Sequence, residues 1–402
     1  MTRIFLFIAF ISFSSLSFAE AKKESADTLQ PALFFKVRAG LNNFYKTINE
    51  KKQATVAFLG GSITYNPGWR DKVCAYLNEK FPDTKFHFIA AGIPSLGSLP
   101  HAFRLQRDIL DSGKIDLLFI EAAVNDKANS TDSLTQVQSL EGIVRHAKKS
   151  NPAMDIIMMS FADPDKTKDY DNGKTPIEVI NHELVATHYH LPSINLAKEV
   201  HDKLSNHEFS WENDFKDLHP SPFGQELYFQ TIRSLLEKCF DNISSAMINK
   251  NLPSPLNHAG FSNGKYVDIK NAKFDEQWKI AKDWSPADKL DTREGFVHVP
   301  ILETEHAGAS LSFSFTGNAV GICIISGADA GMISYSIDNN SYKKLDLFTQ
   351  WSKYLHLPWY LILGSDLKNG KHILHLKIDE TANKESKGHA CRIVHFLVNE
   401  QL

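Results

Sequence analysis

From Leu29 to Phe240 the apolar residues fall into two patterns that alternate along the chain. Continuous apolar runs at residues 55–59, 86–90, 115–123, 154–161 and 192–196 read as strands covered on both faces. Between them, apolar residues spaced three or four apart predict helices over residues 69–80, 102–110, 134–149 and 177–188, with 227–239 closing the set. The spacing of Leu33, Val37, Leu41 and Tyr45 predicts a further helix over residues 29–49. Strands alternating with helices imply right-handed crossovers, hence an α/β domain with a five-stranded parallel sheet in flavodoxin-like order.

After Ile243 the pattern changes. Asn251-Leu252-Pro253-Ser254-Pro255 reads as a linker, and beyond it period-two alternation takes over at residues 310–315, 332–337, 372–378 and 393–398. Turn clusters such as Asp338-Asn339-Asn340 and Lys368-Asn369-Gly370 separate these runs. The second half is therefore expected to be an all-β, jelly-roll-like sandwich of about eight strands. The resulting division is a leader at 1–19, an α/β domain at 29–245, a linker at 246–258 and a β-sandwich at 259–402.

A chain of 402 residues with 43% hydrophobic and 23% charged positions has material for two cores. A net charge of -3, with no long basic block, gives no footprint for a nucleic-acid partner. Arg3, the apolar run 4–11 and Ser17-Phe18-Ala19 have the three parts of a secretory signal peptide. The apolar stretch is short and broken by serines, and no cysteine lies near the cleavage point, so a periplasmic or secreted product without a stable membrane anchor is expected. Cys74, Cys239, Cys323 and Cys391 have no metal-ligand spacing. Export permits a Cys323 to Cys391 bridge, while the apolar surroundings of all four also suit buried free thiols.

The first strand ends in Gly60-Gly61-Ser62-Ile63-Thr64, which puts a hydroxyl just past the C-terminal edge of the sheet, where open α/β sheets bind ligands. A serine hydroxyl needs a general base, and Asp217-Leu218-His219 places an imidazole and a carboxylate on one short loop, bounded by prolines. Gly92 and Asn125 follow the second and third strands. The N–H groups of Ser62 and Gly92 and the Asn125 amide could converge on one developing oxyanion, although turn geometry alone also favours glycine and asparagine there.

Taken together, Gly60-Gly61-Ser62-Ile63-Thr64, Gly92, Val124-Asn125-Asp126 and the pair Asp217 and His219 resemble the four blocks of the SGNH hydrolase family, the GDSL-type esterases. The resemblance covers about Leu29 to Phe240. It implies that Ser62 attacks an ester carbonyl, that His219 acts as base and then acid, and that Asp217 orients the ring. Ser62, Gly92 and Asn125 are then the implied oxyanion donors. Many members carry Asp before the serine, where this chain has Gly61. The stretches Ala102-Phe103-Arg104-Leu105 and Glu121-Ala122-Ala123-Val124-Asn125-Asp126 are similar to an exported bacterial branch acting on carbohydrates.

Arg104 could contact a sugar or serve as a structural charge, and Glu121 could be a partnered buried carboxylate or a support for the site. Trp351, His356, Trp359 and Tyr360 could stack on sugar rings or fill the β-domain core, with Trp359 a candidate substrate contact. The reading is a serine esterase that removes O-acyl groups, chiefly O-acetyl, from a polysaccharide or oligosaccharide, with no metal or other cofactor. A carbohydrate O-acyltransferase using the same acyl-enzyme and a non-catalytic glycan-binding protein are the alternatives. An apolar lid of the kind a lipid esterase needs is not evident, although residues 163–175 are uncommitted.

Overall fold

The structure, a computed structural model, describes residues 28–243 and 251–400. The expected leader, and residues 246–250 of the expected linker, lie outside the described residues. In the first domain β2 (Gln53–Gly60), β3 (Lys85–Gly92), β4 (Leu117–Glu121), β5 (Asp155–Ser160) and β6 (Ser193–Asn195) form a parallel sheet in the order β3-β2-β4-β5-β6. This is the expected order. The chain leaves β2 for β3 on one side and returns to β4 on the other, so a crevice opens at the C-terminal end of β2.

A sixth strand, β1 (Phe35–Lys36), pairs antiparallel with β6. Its presence corrects the single helix expected over residues 29–49. Pro31 opens a short helical turn, Pro31–Leu33, and Gly40 at φ +68 reverses the chain before α1 (Asn42–Lys51) begins. The residues that looked like one helical face are shared among a turn, an edge strand and a helix.

Strand alternation sends Val56 and Phe58 to one face of the sheet and Ala57 and Leu59 to the other. The Val56 side packs on α1, α3 (Trp69–Lys80), α9 (Leu196–Ser205) and α10 (Pro222–Asp241). The Ala57 side packs on α4 (Ser98–Asp108), α6 (Ser133–Ser150) and α8 (Ile177–His188). The remaining short helices are α2 (Ser62–Tyr65), α5 (Ala123–Ala128) and α7 (Pro164–Asp171).

The second domain is a seven-stranded sheet facing a five-stranded one, more strands than the alternation predicted. The additions are short pieces with little period-two burial, such as Ala272–Phe274, Lys279–Trp284 and Asp291–Thr292. The central strands of the seven-stranded sheet, Ala319–Ser326 and Cys391–Asn399, are buried on both faces. Along β13 (Ala319–Ser326), Ile322 and Ile324 enter the sandwich core while Cys323 and Ile325 join the core of the α/β domain. Helix α4 makes that second contact: Phe103 meets Phe261 at 5.1 Å, and a Cβ on Gly264 would lie 2.7 Å from the Ala102 carbonyl. All four cysteines are free. Cys391 faces the sandwich core and Cys323 the opposite side of the sheet, so the alternation separates the two thiols that a bridge would need.

Candidate active site

Ser62 is the first residue of α2, immediately beyond β2, and its N–H has no partner within the helix. The turn is set from below: the Trp69 indole N–H donates to the Ile63 carbonyl at 3.2 Å, and the ring packs on Phe58 and Phe161. His219 lies on the loop between Trp211–Phe215 and α10, and its Nε2 stands 2.8 Å from Ser62 Oγ. Ser221 caps α10 by accepting from the Phe223 and Gly224 N–H groups, and Pro222 takes the first helical position, which fixes the far end of that loop.

Asp217 is held less closely. Its Oδ1 accepts the backbone N–H of His219 at 3.2 Å and lies 3.9 Å from the ring Nδ1. The carboxylate is therefore beside the imidazole without a formed ring hydrogen bond. Both side chains are open to solvent, Asp217 at 65% and His219 at 44% exposure.

Asn125 sits on α5 with its amide against the nucleophile turn. A Cβ on Gly61 would fall 2.0 Å from Asn125 Nδ2, so only glycine lets the two meet. Gly92 is placed differently from the expectation. It ends β3 opposite Gly60, and Ile93 N–H donates to Gly60 O at 3.0 Å. In that parallel register the Gly92 N–H points to the open edge of the sheet, away from β2. Its missing side chain instead admits α2, since a Cβ there would lie 2.4 Å from Tyr65 N. The backbone that does reach the nucleophile turn from this side is the loop between β3 and α4. Leu96 O lies 3.4 Å from a Cβ built on Gly61, and Ser95 adopts a left-handed φ of +71. No sequence signal marks a serine for that conformation.

Arg104 does not face the cleft. It is fully buried, and its guanidinium is occupied by Ala91 O at 2.5 Å, Gly60 O at 3.3 Å, Asp108 Oδ2 at 2.7 Å and His101 Nδ1 at 3.1 Å. The sugar contact considered for it is excluded because the side chain is wholly buried and each of its three nitrogens already has a partner inside the protein. Glu121 and Asp126 are also buried. Glu121 accepts Val124 N–H at 3.3 Å, and Asp126 Oδ1 accepts both the N–H and the hydroxyl of Ser98, at 2.8 and 2.9 Å. Burial pushes both carboxyls up to about 7, outweighing those donated hydrogen bonds and the nearby Lys166. Lys166 is itself fully buried and paired with Asp163. Of these groups, nothing in the local sequence singles out the Lys166–Asp163 pair.

The β-domain reaches the rim of the cleft. The Tyr65 hydroxyl donates to Glu294, and Arg293 Nε donates to Ser95 Oγ at 3.0 Å. Nothing in the local sequence singles out Arg293 or Glu294. Trp359 is half-buried, borders a cavity of about 260 Å³ together with Ser95 and Leu96, and packs partly on the sandwich core. Trp351 is 38% exposed, and the neighbouring Gln350 side chain donates to Ala128 O at 3.1 Å.

A serine just beyond the C-terminal edge of a five-stranded parallel sheet, with an imidazole nitrogen 2.8 Å from its hydroxyl, is the arrangement of a candidate serine hydrolase. Residues 58–227 match the model of the GDSL-like Lipase/Acylhydrolase family. No curated protein sequence matches the chain. Among solved structures, a two-domain esterase (CEX) active on acetylated mannans, co-crystallised with mannopentaose, superposes with a TM-score of 0.73 at 19% identity, covering 93% of this chain and 99% of that one. A second structure of a two-domain esterase (CEX) active on acetylated mannans gives 0.73 at 20% identity, with 92% and 99% covered. These matches show that the whole two-domain fold is shared. An acetyl xylan esterase from Geobacillus stearothermophilus aligns with 46% of this chain and 94% of its own, at 15% identity and a TM-score of 0.39.

Proposed function

We propose that this protein is an exported serine esterase that removes O-acetyl groups from a polysaccharide or its oligomers. The observation that carries the reading is the 2.8 Å approach of His219 Nε2 to Ser62 Oγ at the crevice of the sheet. In this mechanism His219 takes the hydroxyl proton as Ser62 attacks the acetyl carbonyl, and the oxyanion is met by the Ser62 N–H, the Asn125 amide and a backbone N–H of the β3–α4 loop. The imidazolium then protonates the departing sugar oxygen. Water enters, gives its proton to His219 and attacks the acyl-enzyme, and acetate leaves as the proton returns to Ser62. Asp217 favours the imidazolium by charge at close range.

The carbohydrate assignment draws on the resemblance of the active-site stretches and on the shared two-domain fold of esterases active on acetylated mannans. Trp359 and the Arg293–Glu294 rim are the proposed sugar contacts. Export rests on the signal-peptide pattern of Met1 to Ala19; among the described residues no helix is long and apolar enough to cross a membrane.

The test is acetate release from acetylated mannan, xylan, xyloglucan and pectin, beside para-nitrophenyl acetate, for wild type, Ser62→Ala and His219→Ala, each checked for folding. Release from a polysaccharide that falls at least ~1000-fold in both variants supports the reading. Turnover of the small ester alone removes the carbohydrate substrate, and a Ser62→Ala protein as active as wild type overturns the mechanism.

A further inference from the structure

We infer that Arg104 is a positioning residue for catalysis, clamping the ends of β2 and β3 so that the Ser62 turn and the loop crossing it stay in register. The inference rests on the esterase reading above and extends it to a residue that touches no substrate. A guanidinium taken wholly out of water is costly unless its donors are met, and here Nε, Nη1 and Nη2 all have partners. The two carbonyls it holds are those at which the chain departs for the site. Gly60 O precedes Gly61 and Ser62, and Ala91 O stands at the end of β3, just before the loop whose Leu96 carbonyl lies beside Gly61.

Gly60 O also takes the Ile93 N–H, so it uses one lone pair for the ladder and the other for the clamp. Arg104 Nη2 bridges the two strand ends from beneath. Among the described residues Arg104 and Arg392 are the buried arginines, and Arg392 belongs to the β-domain. The other parallel strand ends of this sheet are therefore closed without one, and the guanidinium stands only where the nucleophile strand ends. Its own position is fixed by Asp108 on the next turn of α4 and by His101, whose imidazole burial holds well below its ordinary value and so leaves Nδ1 as an acceptor. Helix α4 is packed between the two domains, which gives the clamp a rigid base.

A displacement of a fraction of an ångström between nucleophile and oxyanion donors lowers the rate of the chemical step while leaving ground-state binding nearly unchanged. For Arg104→Met and Arg104→Lys, kcat on para-nitrophenyl acetate is expected to fall by roughly 100-fold and roughly 10-fold, with KM within about threefold of wild type. An arginine side chain does not titrate between about pH 4 and pH 9, so the midpoint of the pH–rate profile should not move.

Glycine amides give a readout that needs no turnover. The N–H groups sharing a peptide with the two clamped carbonyls belong to Gly61 and Gly92, so selective 15N-glycine labelling reads both bonds among the 21 glycines of the chain. Both resonances should shift in each variant, with Gly173 and Gly295 unchanged.

Folded variants with kcat within about threefold of wild type overturn the clamp, as does a raised KM at unchanged kcat, which would return Arg104 to substrate contact. Unmoved Gly61 and Gly92 resonances overturn it independently. If wild type hydrolyses no ester, or Ser62→Ala equals it, the esterase reading fails while the spectra still decide the clamp.

Discussion

The two sides of the candidate site are built to different standards. On the base side, His219 and Asp217 stand in solvent on a loop, and the aspartate is 3.9 Å from the ring nitrogen it would orient. On the proposed oxyanion side, Asn125 is buried against Gly61, Asp126 ties its turn to Ser98, Asn129 Nδ2 donates to Ser95 O at 2.9 Å, and Arg104 donates to the carbonyls at two strand ends. The difference has a physical reason. A base can turn into place as substrate excludes water, whereas oxyanion donors lower the barrier only when they need no reorganisation at the moment of reaction.

The comparison would break most visibly at Asn125. Asn125→Ala should lower kcat by roughly 100- to 1000-fold with little change in KM, as loss of one preorganised donor does. Equal loss in KM and none in kcat would mean that the amide binds ground-state sugar instead. At Asp217 the expected cost is smaller. Because its ring hydrogen bond is not formed, Asp217→Asn should lower kcat about tenfold, far less than the roughly 10,000-fold seen where a buried aspartate fixes the tautomer. A loss of the larger size would show that the loop tightens around substrate and that the two sides become alike.

The smallest effect is on stability. Glu121, Asp126 and Glu199 are each pushed up to about 7 by burial, so the folded protein holds protons there that an unfolded chain has released. Their contribution is greatest in acid and is lost as pH rises through about 7. Buried His101 and His182 shift downward and act in the opposite sense, but only below their ordinary value of 6.5. Between about pH 6.5 and about pH 8 the carboxyls should therefore dominate, lowering Tm by a few degrees as pH rises. Glu121→Gln should flatten that slope in thermal unfolding scans, and an unchanged slope would remove Glu121 from the account.

Much of this was legible from the chain. The apolar run into Gly60-Gly61-Ser62 announced a buried strand and an exposed hydroxyl, and residues 69–80 and 177–188 form helices over the predicted spans. Period-two alternation found the long strands of the β-domain and passed over the short polar ones. At Gly92 the residue type was informative and the reason for it was not: glycine is needed beneath α2, a close approach that only the folded chain creates. Arg104 illustrates the same limit. A charge on an amphipathic helix ordinarily faces solvent, and nothing in its neighbours says that α4 will be enclosed between two domains.

Local pattern by itself marked most strands and helices of the α/β domain, the long strands of the β-domain and the two candidate residues Ser62 and His219, because periodicity and turn chemistry act over a few residues. The tertiary structure alone decided which carbonyls Arg104 holds, which face of the seven-stranded sheet is covered by α4, and how the Arg293–Glu294 loop meets Tyr65 and Ser95. Those contacts join residues that lie far apart in the chain, and their partners are fixed only when burial leaves a charged or polar group a single place to find a hydrogen bond.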